Sequence, residues 1–377
     1  MGDISKTKRG LTYKPSNIDN TGIRVLRSSN IKEDTFVISD NDVFVKESAV
    51  NIPFVKNGDI LITAANGSTN LVGKHAIIRD IPKNSAVHGG FMLITTSKEY
   101  EFLNASMSSN WYKKFIKKYV AGGNGAIGNL RKNDLDNQKI YVPKKDEQEK
   151  IGNFFKMLDS LITLHQRKLD KLKRVKSAYL TEMFPAEGER EPKRRFPGFT
   201  VAWEQRKLGE VVEITMGQSP SSKNYTENPN DHILVQGNAD MKNGYVVPRV
   251  WTTQITKQAE KGDLILSVRA PVGDIGKTDY DVVLGRGVAA IKGNSFIFQL
   301  LTKMKINGYW TRFSTGSTFE SINSDNIKNA QISIPSLREQ EKIGGLFNEF
   351  DSLIALHQRK LDKLQKLKNA YLNEMFV

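Results

Sequence analysis

Apolar and polar residues follow a helical period in two long segments of the chain. Between residues 147 and 184, and again between 339 and 376, apolar residues recur at alternating spacings of four and three. This heptad period lets long helices pack side by side in a coiled coil. Both segments lack proline and are rich in leucine, lysine and glutamate, so each is predicted to be one helix. The seam positions are Ile151, Phe155, Leu158, Ile162, His165, Leu169, Leu172, Lys176, Tyr179 and Met183, and then Ile343, Phe347, Phe350, Ile354, His357, Leu361, Leu364, Lys368, Tyr371 and Met375.

The two helical segments are copies of one another. At a fixed offset of 192 residues, 27 of 38 positions are identical, including the whole block LHQRKLDKL. The chain is therefore a tandem duplication. At about 1.5 Å per residue each helix is roughly 57 Å long, and its natural partner is the other copy in an antiparallel coiled coil.

The regions upstream of the two helices have a different pattern. Short runs of β-branched residues between glycine, asparagine and proline turns predict strands. Residues 103–120 and 296–313 are predicted to be helical. Each region is expected to be a variable globule of mixed strands and helices, and we call the two regions the first head and the second head.

The two heads correspond in outline although most of their residues differ. Residues 57–63 parallel residues 261–267, with a Gly-Asp turn in each. The pair Gly73-Lys74 is expected to match Gly276-Lys277. The predicted fold class is therefore α+β, with two heads and two long helices that form an antiparallel coiled coil in a pseudo-twofold internal repeat. The predicted divisions are a first head at 1–143, a first helix at 144–184, a linker at 185–198, a second head at 199–335 and a second helix at 336–377.

The start of the chain departs from the repeat. Residues 1–4 align with residues 208–211, so the first head has no counterpart of the segment GFTVAWEQRK at 198–207. The sequence therefore leaves open how the first head begins and how it packs against the end of the second helix.

Composition narrows the function. The chain has 56 lysines and arginines against 41 acidic residues, a formal charge of +15, which favours a polyanionic partner such as nucleic acid. It contains no cysteine, which excludes disulfides, thiolate metal sites and cysteine nucleophiles. We find no apolar run of membrane-spanning length and no signal-peptide core, so the expected location is the cytoplasm, with no membrane partner.

Several catalytic motifs fail on their context. Residues 123–128 spell GxGxxG but follow a basic helical stretch where a dinucleotide site requires a strand. Gly276-Lys277-Thr278 ends like a phosphate loop, but Pro271 stands where the first glycine is required. The histidines show no metal-ligand spacing. No catalytic or metal-binding residue is therefore predicted.

Residues suited to nucleic acid are concentrated where the heads differ. Lys113 and Lys117 lie on a helical stretch with Trp111, Tyr112 and Phe115, where lysines either contact phosphates or form a solvated face over a core stripe. Arginine pairs with guanine in the major groove, and asparagine or glutamine with adenine. The alternative for each residue alone is an ordinary surface position. The other candidates for DNA contact are Arg27, Ser29, Asn30, Asn66, Ser68, Asn70, Lys74, Gln236, Asn238, Arg269, Lys277, Arg286 and Ser317.

With these features the chain resembles the specificity subunit of type I restriction–modification enzymes. The resemblance covers nearly the whole chain and rests on the duplicated EQEKIG…LDSLI…HQRKLDKL helix, the WEQRKLGE segment at 203–210 and the NGDIL and KGDLI turns. It implies that each head is a target recognition domain and reads one half of an asymmetric, bipartite site in double-stranded DNA. The helices are expected to set the gap between the half-sites.

The resemblance also implies partners and a division of labour. Two modification subunits would methylate adenine with S-adenosylmethionine, and restriction subunits would use ATP and Mg²⁺, while this chain would hold no cofactor. The predicted docking residues are Arg167 and Lys168 with their copies Arg359 and Lys360. Two other classes remain open: an enzyme with an unrecognised site, and a coiled-coil scaffold that binds only proteins.

Overall fold

A computed structural model describes residues 1–120, 128–313 and 321–376. The GxGxxG stretch up to residue 127 and the candidate Ser317 lie outside this part of the chain. The described chain forms two compact units. Unit 1 comprises Met1–Gln166 with Arg359–Val377, and unit 2 comprises Arg167–Gln358. Each unit thus combines one head with half of each long helix.

Eight α-helices lie in the described residues, and two of them are the predicted long helices. They are α1 Tyr100–Met107, α2 Asn110–Val120, α3 Lys132–Asp136, α4 Lys145–Glu182, α5 Leu208–Val211, α6 Ser295–Ile306, α7 Ser324–Lys328 and α8 Leu337–Met375. None of the helices in the described ranges is long and apolar enough to cross a membrane.

The region 103–120, which is predicted to be helical, contains two helices with a break between them. The hydroxyl groups of Ser108 and Ser109 donate to the carbonyls of Asn104 and Ser106 at 3.0 and 2.8 Å. Serine side chains that bond nearby carbonyls compete with the helical pattern, and α1 ends here.

The predicted helix at 296–313 is also shorter than expected. Helix α6 ends at Ile306, and Gly308 follows with a φ of 68°. This left-handed conformation favours glycine and ends a helix. A separate short 3-10 turn follows at Trp310–Phe313.

The two long helices pack antiparallel within each unit, as predicted. In unit 2, Lys176 of α4 pairs with Asp351 of α8 at 2.6 Å. In unit 1, Lys368 of α8 pairs with Asp159 of α4 at 2.6 Å. Lys368 and Asp351 are the repeat copies of Lys176 and Asp159, so one interaction occurs twice with the helices exchanged. The duplicated sequence therefore gives each half of the helix pair the same ion pair at its seam.

The first head is built on two four-stranded sheets, in the orders β1-β11-β7-β9 and β10-β3-β6-β2. Strand β11 pairs antiparallel with β1 and β7, and β10 pairs parallel with β3. The strands are β1 Lys6–Arg9, β2 Ile18–Asp19, β3 Ile23–Leu26, β4 Ile31–Lys32, β5 Thr35–Phe36, β6 Val43–Val45, β7 Ile60–Thr63, β8 Ala65–Asn66, β9 His75–Ile77, β10 Ala86–His88, β11 Met92–Thr96 and β12 Gly128–Asn129.

The second head has a six-stranded sheet, β14-β24-β21-β22-β18-β17, and a five-stranded sheet, β15-β19-β16-β23-β20. Strands β13 and β25 form a separate antiparallel pair. The strands are β13 Glu204–Lys207, β14 Ile214–Met216, β15 Tyr225–Thr226, β16 His232–Val235, β17 Met241–Lys242, β18 Tyr245–Val246, β19 Trp251–Thr252, β20 Lys257–Ala259, β21 Leu264–Ser267, β22 Ile275–Lys277, β23 Val282–Leu284, β24 Val288–Ile291 and β25 Gln331–Ile334.

One central strand organises the core of each head. Alternate residues of a strand point to opposite faces of its sheet. In β7, Ile60 and Ile62 join one core cluster while Leu61 joins another. In β21, Leu264 and Leu266 pack on one side and Ile265 on the other. Both faces of each strand are buried, which explains the continuous apolar run in both sequences.

The turns before these strands are equivalent, as the sequence indicates. Gly58 and Gly262 have φ values of 91° and 101°, a region that glycine enters without strain. Asp59 accepts the amide of Lys56 at 2.8 Å, and Asp263 accepts the amide of Glu260 at 2.9 Å.

The predicted match between Gly73-Lys74 and Gly276-Lys277 is wrong by three positions. The amide of Gly73 donates to Thr63, and the amide of Gly273 donates to Ser267, at the ends of β7 and β21. Gly73 and Gly273 also share positive φ values of 85° and 87°. The loops that follow the two strands differ in length, so similar Gly-Lys pairs arise at non-equivalent places. Lys74 therefore corresponds to Asp274, and Lys277 lies within β22.

Candidate DNA-recognition surface

A cleft of about 740 Å³ lies at one edge of the first head. It forms where four segments end together: the residues after β1, the turn after β3, strand β8 and the loop before β11. Three of its lining residues are polar groups that suit base edges or phosphates: Arg27, Ser28 and Asn66. The amide of Asn66 donates to the Ser28 hydroxyl at 3.1 Å, which ties β8 to the turn. The remaining lining is Leu11, Thr12, Tyr13, Pro15, Ile18, Ala65, Gly67, Gly89, Gly90, Phe91 and Met92.

Asn30 holds the turn after β3 together. It was predicted to contact DNA, and we assign it a structural role instead. Its side chain is fully buried and accepts the amide of Arg27 at 2.8 Å. Its own amide donates to Val37 at 3.0 Å and to Asp42 at 2.8 Å. Both N–H groups of the side chain are thus used inside the head. The exposed residues of the turn are Arg27 and Ser29.

The second head repeats this turn with different side chains. Asp240 is buried where the first head has Asn30, and it accepts the amide of Gln236 at 2.8 Å. Gln236 and Asn238 lie on the turn that Asp240 closes. Gln236 and Asn238 therefore occupy the places of Arg27 and Ser28 in the first head.

A second loop is also equivalent in the two heads. The amides of Gly89 and Gly285 donate to the last residues of β3 and β16 at 2.9 and 2.7 Å. Two residues later, the carbonyls of Phe91 and Gly287 accept the amides of Ala64 and Val268, both at 2.9 Å. Gly90-Phe91 thus corresponds to Arg286-Gly287.

Phe91 is a residue that sequence reasoning missed. Its ring is 73% exposed at the cleft, and the equivalent loop of the second head exposes Arg286 one position earlier. In the sequence, an isolated phenylalanine before an apolar strand resembles a core residue. The signal that could have indicated an exposed loop is the Gly-Gly pair that precedes Phe91. Arg269 of the second head corresponds to Ala65, the residue before Asn66.

Lysines surround a second cavity of about 540 Å³ in the first head. Asn70, Lys74, Lys113 and Lys117 line it, so four candidates that are distant in sequence lie together. Buried Tyr112 forms part of the wall and donates to the carbonyl of Gly73 at 2.9 Å. Helix α2 therefore has both predicted features, an apolar side in the core and exposed lysines at the cavity.

Buried His75 lies next to Tyr112 in this wall, with the two rings 5.2 Å apart and edge to face. Burial lowers the pKa of His75, so its imidazole is neutral at pH 7. Burial likewise raises the pKa of Tyr112 above its usual range. The positive charge of the cavity therefore comes from the lysines, which suits an anion such as a phosphate.

The remaining candidates do not line either of these two cavities. Ser68 is exposed beside the cleft, and its amide donates to Asn66 at 3.0 Å. Lys277 is exposed on β22. The four predicted docking residues are exposed positions of α4 and α8 outside the seam: Arg167, Lys168, Arg359 and Lys360. Among the described residues, no group of three His, Asp or Glu side chains is placed to hold a metal ion.

The two heads have equivalent turns with different exposed side chains, and each compact unit combines one head with half of each long helix. A family model described as the type I restriction modification DNA specificity domain matches residues 1–174 and 200–366. The chain belongs to this family, and it is a non-catalytic specificity subunit that recognises DNA sequence.

Named relatives agree with this assignment, and a solved structure has the same fold. The chain is 26% identical to a putative type I restriction enzyme MjaX specificity subunit of Methanocaldococcus jannaschii, over 97% of this chain and 89% of the relative. It is 22% identical to the StySPI specificity subunit of Salmonella potsdam, over 100% and 87% of the two chains. The S subunit of a type I restriction–modification system from M. genitalium has the same fold, with a TM-score of 0.66, 14% identity and 100% and 94% coverage.

Proposed function

We propose that each head reads one half of a bipartite, asymmetric DNA site. The observation that carries this proposal is the equivalence of the candidate positions in the two heads. Arg27 and Phe91 of the first head correspond to Gln236 and Gly287 of the second, on turns with the same backbone hydrogen bonds. A shared frame with different side chains suits two different base sequences.

The first head contacts phosphates beside its base-reading edge. The lysines around the 540 Å³ cavity carry positive charge, which can pair with phosphates of any base sequence. Lysine contacts to phosphates fix the position of a protein on the duplex but do not read sequence. We assign Lys113 and Lys117 to this role.

The two long helices set the gap between the half-sites. They continue from one compact unit into the other, and a coiled coil is stiff. Insertion of LTEM after Met183 adds about 6 Å of helix. The preferred gap should grow by one or two base pairs while both half-site sequences stay the same. An unchanged gap with full activity would mean that the helices do not act as a ruler.

The repeated helix faces dock two modification subunits in the cytoplasm. Exposed Arg167 and Lys168 recur as Arg359 and Lys360 in an identical block, and two identical faces suit two copies of one partner. Restriction subunits complete the complex. These partner subunits bind S-adenosylmethionine, ATP and Mg²⁺. Reversal of the four charges should weaken assembly without unfolding the helices.

Mapping of methylated sites in cells tests the division between the heads. Arg27→Ala should relax one half-site only, and Gln236→Ala should relax the other only. Arg79→Ala serves as a matched control, because Arg79 is exposed in the first head and pairs with Glu101 at 2.9 Å away from the cleft lining. A change in both half-sites after either single substitution would contradict the proposal.

A further inference from the structure

A tight hairpin follows the base-reading turn in both heads. In the first head, β4 and β5 flank the turn residues Glu33 and Asp34, and in the second head β17 and β18 flank Asn243 and Gly244. All four turn residues have positive φ values, between 47° and 79°. Two central residues with positive φ form the turn whose twist suits a two-residue hairpin. The two hairpins are therefore equivalent.

Backbone hydrogen bonds hold each hairpin to its base-reading turn. The amide of Val37 donates to the carbonyl of Asn30 at 2.9 Å, and the amide of Val247 donates to the carbonyl of Asp240 at 2.8 Å. Asn30 and Asp240 are the buried residues that close the two turns. Each hairpin thus lies at a fixed place beside the candidates for base contact.

Three side chains form a row across the hairpin of the second head. Lys242 pairs with Tyr245 across β17 and β18, and Tyr245 pairs with Lys277 across β18 and β22. Residues that are paired on neighbouring strands point to the same face of a sheet. Both lysines are exposed, and Tyr245 is 46% exposed. We call Lys242, Tyr245 and Lys277 the hairpin row.

The spacing of the hairpin row suits the backbone of a duplex. Neighbouring strands lie about 4.8 Å apart, so the Cα atoms of the two lysines are about 10 Å apart. This distance is close to three base-pair rises of about 3.4 Å each. The two ammonium groups, at the ends of flexible side chains, can therefore reach separate phosphates of one DNA strand.

The two lysines of the hairpin row are not neutralised by acidic side chains. In the described part of the chain neither lysine forms an ion pair, whereas neighbouring cations do. Arg249 pairs with Asp240 at 3.7 Å, and Lys305 pairs with Asp274. The hairpin turn Asn243-Gly244 adds no charge. The row therefore presents two cationic donors and one phenol hydroxyl to solvent.

The equivalent row of the first head lacks this chemistry. The pairing of Ile60 with Ile77 repeats that of Leu264 with the lysine of β22, so the row of the first head is Lys32, Thr35 and Ile77. Ile77 is buried, and the turn beside Lys32 carries two carboxylates, Glu33 and Asp34. The first head instead presents lysines at the cavity beside α2.

We propose that the hairpin row is the site at which the second head binds the sugar–phosphate backbone of DNA. Lysine ammonium groups and tyrosine hydroxyls contact phosphate oxygens and position a protein on the duplex without reading its sequence. The two heads therefore hold the backbone with different elements, α2 in the first head and the hairpin in the second. This inference rests on the proposed binding of DNA by the second head, and it adds a contact that is independent of base sequence.

Titration of full-length variants with two duplexes tests the hairpin row. One duplex carries the site mapped by methylation, and the other has the same length and an unrelated sequence. Lys242→Gln and Lys277→Gln should each weaken binding to both duplexes by a similar factor, roughly threefold to tenfold at about 0.1 M salt. Each substitution should also reduce the slope of log K against log salt by about 1, because one fewer counterion is released.

Two conservative variants separate charge from shape. Lys277→Arg should keep the slope of the unaltered chain, because the charge remains. Tyr245→Phe should weaken binding and leave the slope unchanged, because the lost hydroxyl carries no charge. Lys32→Gln is the matched control, since Lys32 takes the place of Lys242 in the first head beside two carboxylates, and its slope should stay the same.

Distinct results would overturn the proposal. An unchanged slope for both lysine-to-glutamine variants would exclude the hairpin row as a phosphate site. A changed half-site sequence would mean that the row contacts bases. Unchanged DNA binding with weaker binding of the modification subunits would assign the row to a protein partner.

Gln236→Ala distinguishes this proposal from the proposed reading of bases. If Gln236→Ala relaxes the second half-site while the variants of the hairpin row bind DNA normally, only the backbone site fails. If Gln236→Ala leaves the half-site unchanged while the lysine variants reduce the slope, the backbone site is supported and the assignment of the reading turn fails.

Discussion

The two heads share a backbone frame but differ in the chemistry that they expose. At the base of the cleft, an added Cβ on Gly10 would lie 1.9 Å from the carbonyl oxygen of Gly89. The equivalent atom on Gly217 would lie 2.1 Å from the oxygen of Gly285. Neither position accepts a side chain, so the frame is fixed by close backbone contacts while the turns around it vary. Recognition can therefore diverge without a change of fold.

The heads also differ in what packs behind the cleft. Gly73 faces Ile116 of α2, whereas Gly273 faces Trp310 of a short 3-10 turn. Helix α2 brings Lys113 and Lys117 to the surface of the first head. The turn of the second head carries Arg312, which pairs with Glu187. The first head thus has lysines at the cavity surface, whereas the corresponding part of the second head has an arginine in an ion pair.

The largest effect is expected from the shared frame itself. Gly10→Ala should destabilise the first head by about 3 kcal/mol, since a backbone contact of this kind cannot relax by rotation of a side chain. Gly217→Ala should do the same to the second head. Hydrogen exchange in β7 and β21 assigns each loss to its head. Gly345→Ala is the control, because nothing lies within 4 Å of its added Cβ. Equal losses in both heads from one substitution would contradict the comparison.

Acid should destabilise the first head more than the second. Burial lowers the pKa of His88 in the first head to about 4, whereas His232 of the second head is exposed. A folded-state pKa below the unfolded value near 6.5 means that the unfolded chain binds more protons as the pH falls. The stability of the first head should therefore fall by about 2 kcal/mol between pH 7 and pH 5.

Denaturant unfolding at the two pH values, followed by hydrogen exchange in each head, measures this difference. His88→Gln should reduce the pH dependence, and a further His75→Gln substitution in the same head should reduce it again, because burial lowers the pKa of His75 as well. An equal loss of stability in both heads would show that buried histidine is not the cause.

Base-reading positions should show the next largest effect. Arg286→Ala should weaken binding to a cognate duplex by roughly tenfold, or about 1.4 kcal/mol, if the guanidinium pairs with guanine. Phe91→Ala on the equivalent loop of the first head should weaken binding less, because an apolar contact with a thymine methyl lacks hydrogen bonds. Binding to duplexes altered in one half-site at a time checks both expectations, and each substitution should affect a different half-site.

The sequence predicted the helices and the strand turns well because their signals are local and repeated. The heptad spacing, the identical LHQRKLDKL block and the Gly-Asp turns each depend on residues close together in the chain. The match of Gly73 with Gly276 failed because loop length, which local sequence does not reveal, decides the register.

The candidate site was predictable in residue type but not in arrangement. Asn30 has the chemistry of a base-reading residue, and only the structure shows that Val37 and Asp42 occupy its amide. Phe91 has the chemistry of a core residue, and only its position on the loop before β11 exposes it. Exposure is set by packing between distant segments, so sequence alone cannot assign these roles.

The smallest effect is expected from the lysines that distinguish the first head. Lys113→Gln and Lys117→Gln should each weaken DNA binding by a similar factor for cognate and altered sequences, since phosphate contacts carry no base information. Each loss should also reduce the slope of log K against log salt by about 1, because one fewer counterion is released. Lys56→Gln is a matched control, as Lys56 is exposed in the same head but does not line the cavity. Titrations at several salt concentrations measure the slope. A changed sequence preference with an unchanged slope would move these lysines from the phosphate backbone to the base edges, and would weaken the contrast drawn between the two heads.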